Sequence, residues 1–372
     1  MNGPALPRAL AGLPWRVLIV IFAIGFFGLV VLYSAAGGSL TPWALNQGVR
    51  FLVFFMAMIA LSRVRPERWS AMAFPAYAVI LIGLVAVEAL GVIGGGSQRW
   101  LDLGLIRLQP SEFMKPAIVL VLARFYSRMP AAHLRSIHAI WPAAVLVGLP
   151  AVLVLIQPDL GTALLISFGG LTMMFLAGLP LWLFIGGIGT VAAALPVLFS
   201  QLHDYQQKRV LIFMDPESDP LGAGYHISQS KIAIGSGGIF GKGFLNGTQS
   251  HLDYLPERHT DFAFATMAEE WGLAGGVFLL LAFGYVLAWG WRIALSAENR
   301  FDRLLAGGLT ASIFYYVCIN LMMVMGLAPV VGIPLPLISY GGSAMMTVML
   351  CLGVLLGLDR ANRRSGSYDS MG

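Results

Sequence analysis

Apolar residues in this chain fall into long unbroken runs, without the two-residue alternation of a half-buried strand or the one-sided stripe of a soluble helix. Crossing about 30 Å of hydrocarbon takes roughly 17–25 such residues in a helix. Runs near that length occur at Val17–Ala35, Leu45–Leu61, Met72–Ile93, Phe113–Ser127, Ile140–Ile156 and Thr162–Leu179. Four more follow at Leu181–Phe199, Ala265–Trp291, Leu304–Met325 and Gly342–Leu358. Inside a bilayer each backbone N–H and C=O must be satisfied within the protein, which leaves only helices or closed barrels. The dyad pattern of barrel strands is absent. The pattern therefore predicts an all-α polytopic membrane protein, a bundle of about ten transmembrane helices in which residues 1–372 form a single membrane domain. Ten crossings return both termini to one side.

One long polar stretch interrupts the runs, a large loop of about residues 200–264. From Leu202 to Thr266 it gathers seven acidic residues, five basic ones and four histidines, in a chain that is 58% hydrophobic and only 11% charged. The short loops on the other side carry Arg63, Arg65 and Arg68, then Arg124, Arg128 and Arg135, then Arg292, Arg300 and Arg303. Arg360, Arg363 and Arg364 follow in the tail, and Arg8 and Arg16 precede the first run. Such clustering marks the cytoplasmic face, so both termini are expected there and the large loop outside. The net charge of +5 follows from this bias, and no nucleic-acid partner is inferred from it. Ala35-Ala36 follows the first run as a signal-peptidase site would. That run exceeds a signal core and more spans follow, so it reads as an uncleaved anchor. Cys318 and Cys351 lie in apolar runs and read as packing residues, with neither disulfide nor metal spacing.

Four outward segments hold the polar chemistry. Gly94-Gly95-Gly96-Ser97-Gln98-Arg99-Trp100-Leu101-Asp102 reads as a loop with a charge and an interfacial ring. Gln109-Pro110-Ser111-Glu112-Phe113-Met114-Lys115-Pro116 opens a helix, and the three-residue spacing puts Glu112 and Lys115 on one face. They form either a mutually neutralising pair that orients the helix or the polar lining of a cavity. A charge inside a span costs about 2.5–3.5 kcal/mol on insertion scales, so both need a reason to be there. Glu88 is a further acid inside an apolar run, without an assigned role. In Gln157-Pro158-Asp159-Leu160-Gly161-Thr162, Asp159 either caps the next helix or stands at the mouth of a cavity.

The large loop holds an acidic turn, Asp215-Pro216-Glu217-Ser218-Asp219-Pro220, and then a short amphipathic helix at Tyr225–Gly235 expected to lie at the interface and carry Lys231. Gly235-Ser236-Gly237-Gly238-Ile239-Phe240-Gly241-Lys242-Gly243 fails the Walker A spacing, with Ser236 at the first glycine and Gly243 at the hydroxyl position. It is either a flexible turn or a nest of amides that holds an anion beside Lys242. Further on, Leu255-Pro256-Glu257-Arg258-His259-Thr260-Asp261-Phe262 re-enters the membrane. Asp261 either caps the helix or, partly removed from water, serves as a proton acceptor. The last outward segment, from Pro329 to Ser343, is broken by Pro and Gly, which is tolerated at membrane depth only where it is buried in protein or lines a wet cavity. Polar groups from separate segments thus converge on one end of the bundle.

Taken in order, SQRWLDLG, QPSEFMKPA, QPDLGTALL, GYHISQSKIAIGSGG, GKGFLNGTQSHLDYLPERHTDFAFATMAEEWGL and PLPLISYGGSA resemble the SEDS family of bacterial cell-wall proteins, most closely its rod-shape, elongation-type members. The resemblance implies a peptidoglycan glycosyltransferase in the bacterial cytoplasmic membrane that polymerises lipid II at the outer face and releases undecaprenyl diphosphate. It implies a class B penicillin-binding protein as transpeptidase partner, with other elongation-machinery proteins. It places the catalytic aspartate at Asp261, the family's Glu–Lys pair at Glu112 and Lys115, and cavity residues at Arg50, Arg99, Trp100, Gln109 and Asp159. Lys231, Lys242 and His259 are added as candidates near the substrate's charged head. No motif demands a metal, though a divalent cation (Mg or Mn) is compatible with a diphosphate leaving group. The alternatives are a division- or sporulation-type paralogue, a lipid II flippase, which needs openings to both faces, and a non-catalytic scaffold, which leaves the charges within the membrane unexplained.

Overall fold

In the computed structural model, residues 12–369 are described, apart from 95–96, 103, 105–106, 202–203, 216–218, 220–221, 253 and 256. Arg8, Gly95, Gly96, Pro216, Glu217, Ser218 and Pro220 therefore lie outside the described residues. The predicted spans appear as α1 (Trp15–Ala35), α2 (Trp43–Leu61), α3 (Pro66–Leu90), α4 (Pro110–Ser127), α5 (Ile137–Ile156), α6 (Leu160–Leu176) and α7 (Leu181–Gln201). The polar stretch follows as α8 (Asp204–Met214), α9 (Ala223–Ser236) and α10 (Thr248–His251), and the chain ends in α11 (Ala263–Ser296), α12 (Arg300–Val324) and α13 (Gly342–Asp369). Seven of these helices are long and apolar enough to cross a membrane by length and composition alone. α4, α6 and α7 complete the set of ten, being more charged or shorter in their apolar run.

The order of packing inverts that of a soluble protein. α4 carries Glu112, Lys115 and Arg124 and is among the most enclosed of the described helices, set against α3, α6 and α12. A helix surrounded by protein needs no lipid-facing apolar surface, so it can carry charge. α7, among the most apolar, turns Trp182, Ile185, Ile188 and Val191 outward, where lipid takes the place of a protein partner.

Three departures from the expected picture matter for the site. The segment read as a glycine loop is a small sheet, β1 (Val92–Gly94), β2 (Ser97–Asp102) and β3 (Arg107–Leu108), antiparallel in sequence order. Val92 and Ile93 before the glycines, with Trp100 and Leu101 after them, supply the β-branched and aromatic residues that a hairpin needs. Because α3 ends at Leu90, Glu88 is in its last turn and exposed, not deep in a span. Finally, α9 does not lie free at the interface. It packs on α11 and α12 with Ile227 and Ala233 buried, and Ser230 Oγ donates to the Val324 carbonyl at 2.7 Å.

α11 is two helices joined at Gly272, whose φ of 61° and ψ of −156° are open only to glycine. The glycine-rich run threads this break. The amides of Lys242 and Gly243 donate to the carbonyls of Glu269 (2.9 Å) and Glu270 (3.1 Å), and those of Leu273 and Ala274 donate to Gly238 (2.9 Å) and Ile239 (3.0 Å). The run is thus neither a loose turn nor an anion nest, because those amides are used to satisfy the backbone of a broken membrane helix.

Candidate active site

Asp261 stands in the turn that leads into α11. The cap position belongs to Phe262, so capping is not what places the carboxylate. The turn is held from three sides. Arg258 donates to the Ala35 carbonyl at 2.9 Å and to the Ser250 carbonyl at 2.6 Å. The Tyr340 amide donates to the His259 carbonyl at 2.7 Å. Asn320, fully buried on α12, donates to the carbonyls of Asp261 (3.0 Å) and Ile333 (2.7 Å). One side chain thereby ties the aspartate's backbone to the irregular segment after α12. Asp261 itself is half-buried beside the exposed Gly332, with Oδ2 3.5 Å from where a Cβ would sit. Gly332 has a φ of +69°, so glycine suits both the backbone and the open space next to the carboxylate.

That irregular segment is enclosed by protein. Val331, Ile333, Leu335, Leu337 and Ile338 are buried. Gln47 of α2 donates to the Ser339 carbonyl at 2.8 Å, and Ser339 Oγ accepts the Leu335 amide at 2.9 Å. A Cβ on Gly161 of α6 would collide with the Val331 carbonyl. Residues 331–333 therefore run from the start of α6 to Asp261.

Around the aspartate lies a shelf of rings and cations. His259 stacks on Trp43 (centroids 4.1 Å apart, planes 6°), the Arg258 guanidinium is 5.8 Å from the Trp43 ring, and Arg50 is 5.1 Å from the Tyr340 ring. Among the described residues Arg50 has no carboxylate partner. Burial holds the His259 imidazole below its ordinary range, Glu257 opposing and Arg258 adding to the effect, so the ring is neutral at pH 7. On α9, His226 stacks near Phe262 at 5.9 Å, and Lys231 is exposed with its stem against Gly326 beyond α12.

Below the shelf are two polar knots. In the first, Asp159 caps α6 by accepting the Thr162 amide at 3.1 Å, and the same carboxylate takes Gln109 Nε2 at 3.2 Å and lies 3.8 Å from Arg99. The guanidinium also donates to the carbonyls of Gln157 and Pro158. Trp100 is next to Arg99 on β2, so strand alternation puts it on the other face of the sheet. In the second knot Lys115 Nζ donates to Glu112 Oε1 at 2.5 Å and to Tyr316 OH at 2.6 Å, while that hydroxyl donates to Glu112 Oε2 at 2.5 Å. All three side chains are buried. Tyr316 and Asn320 are one turn apart on α12, so this triangle sits directly beneath the tether to Asp261.

Lys242 belongs elsewhere. It meets Glu269 at 2.7 Å, and Glu269 also accepts from Thr248 Oγ1 and the amides of Gln249 and Ser250. Its neighbour Glu270, equally buried, accepts from Ser34 of α1. Sequence reasoning missed Tyr316, Asn320 and Gln47 as parts of the site, and Glu269 and Glu270 as the anchor of the broken helix beside it. The signals were present: two consecutive acids before Trp271-Gly272 in an apolar run, polar residues four apart at Ser312, Tyr316 and Asn320, and Trp43, Gln47 and Arg50 on one face of α2. Among the described residues no three His, Cys, Asp or Glu side chains group to hold a metal. No step below runs through a metal.

The fold and this site define a polytopic helical membrane protein with its polar chemistry gathered at one end of the bundle. Residues 14–364 match the family described as cell cycle protein of the FtsW, RodA and SpoVE type, and the chain belongs to this SEDS family. It is 46% identical to peptidoglycan glycosyltransferase MrdB of Escherichia coli K12, over 92% of each chain. A chain from the structure called "Structural coordination of polymerization and crosslinking by a peptidoglycan synthase complex" superposes with a TM-score of 0.82 at 32% identity, covering 94% of this chain and 98% of that one. Thermus thermophilus rod shape determining protein RodA superposes at 0.71 with 29% identity, over 96% and 99%.

Proposed function

We propose that this chain is a peptidoglycan glycosyltransferase that polymerises lipid II during cell elongation, on the outer face of the bacterial cytoplasmic membrane and with both termini inside. The observation that carries the proposal is the Asp261 carboxylate, held half-exposed beside the bare Gly332 and within a shelf of rings and an arginine that has no carboxylate partner among the described residues. In the reaction the 4-hydroxyl oxygen of one lipid-linked sugar bonds to the anomeric carbon of another as the bond to diphosphate breaks. Asp261 takes the hydroxyl proton, a role worth about 10²–10⁴-fold. Undecaprenyl diphosphate leaves with the electron pair, and Arg50 and Lys231, both without carboxylate partners among the described residues, are placed to receive its charge. Arg99 and Lys115 are already neutralised by Asp159 and Glu112 and act by holding shape. Neutral, stacked His259 fits a sugar face. A class B penicillin-binding protein supplies crosslinking, in line with the synthase complex to which the chain is similar.

The test is polymerisation of purified lipid II in detergent by the chain with its transpeptidase partner. Glycan strands are expected from the native protein and none from a folded, partner-bound Asp261→Ala variant. Strands from that variant remove Asp261 from the mechanism. Headgroup translocation in vesicles with no polymer in detergent turns the assignment to a flippase.

A further inference from the structure

The end of the bundle opposite Asp261 carries an open cavity of about 530 Å³ that the proposed reaction does not use. It lies between the start of α3 (Glu67, Ser70), the end of α4 (Arg124, Arg128) and the start of α12 (Asn299, Asp302). At 1.5 Å per residue, Asp302 is about 27 Å along α12 from Asn320. The cavity therefore sits at the opposite bilayer surface, on the arginine-rich face.

Charges of both signs line this cavity without pairing. Among the described residues no ion pair joins Glu67 or Asp302 to Arg124 or Arg128. Arg124 donates one bond, to Ser70 Oγ at 2.6 Å, which leaves most of its guanidinium fork unused. Asp302 is 5% exposed. Its Oδ2 accepts from Asn299 at 2.5 Å, while Oδ1 is buried with no donor. A buried carboxylate oxygen without a donor is uncommon and unfavourable. Glu67 lies close enough to repel Asp302, so the two acids together call for a cation with N–H groups, while the arginines on α4 call for anionic oxygens. A small ligand that carries both groups answers charges of both signs in one cavity.

We propose that this cavity binds an ammonium–phosphate zwitterion, the phosphoethanolamine headgroup of a lipid in the adjacent leaflet, with its amine beside Asp302 and Glu67 and its phosphate between Arg124 and Arg128. A pocket between helix ends at the membrane surface is where headgroups are abundant. The site is independent of the polymerisation chemistry.

The experiment is thermal unfolding of the delipidated full chain in detergent, titrated with dihexanoyl phosphatidylethanolamine, phosphatidylcholine or phosphatidylglycerol, and with water-soluble glycerophosphoethanolamine. A ligand that binds only the folded state raises Tm with concentration. Phosphatidylethanolamine is expected to reach half-effect at a concentration at least tenfold lower than the others. Choline lacks N–H donors for Asp302, and glycerol lacks the positive charge. Glu67→Gln/Arg128→Gln alters two exposed side chains and should leave the ligand-free Tm unchanged while weakening the ethanolamine response at least tenfold. Equal responses to ethanolamine and choline lipids, a stronger response to phosphatidylglycerol, or an unaltered response in the double variant overturns the proposal. Protection by glycerophosphoethanolamine equal to that by the lipid moves the same chemistry from a lipid to a free metabolite.

Discussion

Lys115→Met separates a structural from a chemical role for the triangle beneath the tether. The substitution keeps an unbranched side chain of similar length and leaves Glu112, 5% exposed, with Tyr316 as its one remaining partner from the triangle. Removing one member of a buried pair costs about 3–5 kcal/mol. A single uncompensated charge in a span costs about 2.5–3.5 kcal/mol on insertion scales. A destabilisation of about 3 kcal/mol lowers Tm by roughly 4 °C in a chain of this size. Glu112→Gln/Lys115→Met removes both charges at nearly constant volume, and the amide oxygen introduced on α4 still accepts from Tyr316, so this double variant should unfold within about 1 kcal/mol of the native protein. With Glu112→Gln alone also costing about 3 kcal/mol, because it leaves Lys115 buried without its carboxylate, the coupling between the two sites is about 5 kcal/mol. Tm values for the four proteins in detergent give this coupling, and polymerisation of lipid II gives the second readout. The double variant is expected to fold and to retain activity within about tenfold, since the pair acts through Tyr316 and α12. A single variant as stable as the double refutes the energetics. A folded double variant with no product shows that one of the charges meets the substrate.

Three further outcomes follow from the geometry. Asn320→Leu removes the donor to the Asp261 and Ile333 carbonyls; turnover should fall about 10²-fold for an ångström of misplacement, with KM nearly unchanged, and an active variant would show that the tether is not needed. Gly272→Ala places a Cβ within 2.8 Å of the Gly238 carbonyl and 2.7 Å of the Ile239 carbonyl, at a backbone conformation costing about 1–3 kcal/mol for other residues; a clear loss of Tm and yield is expected, and native Tm would deny the strain. Burial holds His259 and His226 below their ordinary range, so the unfolded chain binds more protons; stability is whole above pH 6.5 and declines as pH falls from there through the folded values. His259→Gln should flatten the fall in Tm between pH 6.5 and 5, and an unchanged slope would assign it elsewhere.

The spans were legible because the requirement that makes them, a stretch of apolar residues as long as the bilayer is thick, is written locally. The neighbours were not. In water an apolar stripe tells which face turns inward, but in lipid both faces are apolar, and α7 and α12 cannot be ranked by that measure. What marks the interior here is polarity. Glu112, Lys115, Tyr316 and Asn320 are each tolerated only because a partner from another helix or segment meets them. Asp261, Glu112, Lys115 and Asp159 stood out in the sequence because they are charges in the wrong solvent. Tyr316 and Gln47 did not, since neither is charged and each finds its role through contacts more than 200 residues away.

The same reasoning explains why the catalytic candidate rests on irregular backbone. A continuous helix satisfies its own amides and presents side chains at fixed intervals, so it cannot bring a carboxylate against a bare backbone position. Breaking the chain at residues 257–262 and 329–341 frees polar backbone groups, and inside a membrane each must be answered by name: Asn320 for Asp261 and Ile333, Gln47 for Ser339, Tyr340 for His259. Those answers are bonds from different parts of the bundle, so they fix the turn in three dimensions. The positional rigidity that a general base needs is therefore a consequence of satisfying backbone in lipid, and substitutions at the side-chain donors Asn320 and Gln47 should impair turnover before they unfold the bundle.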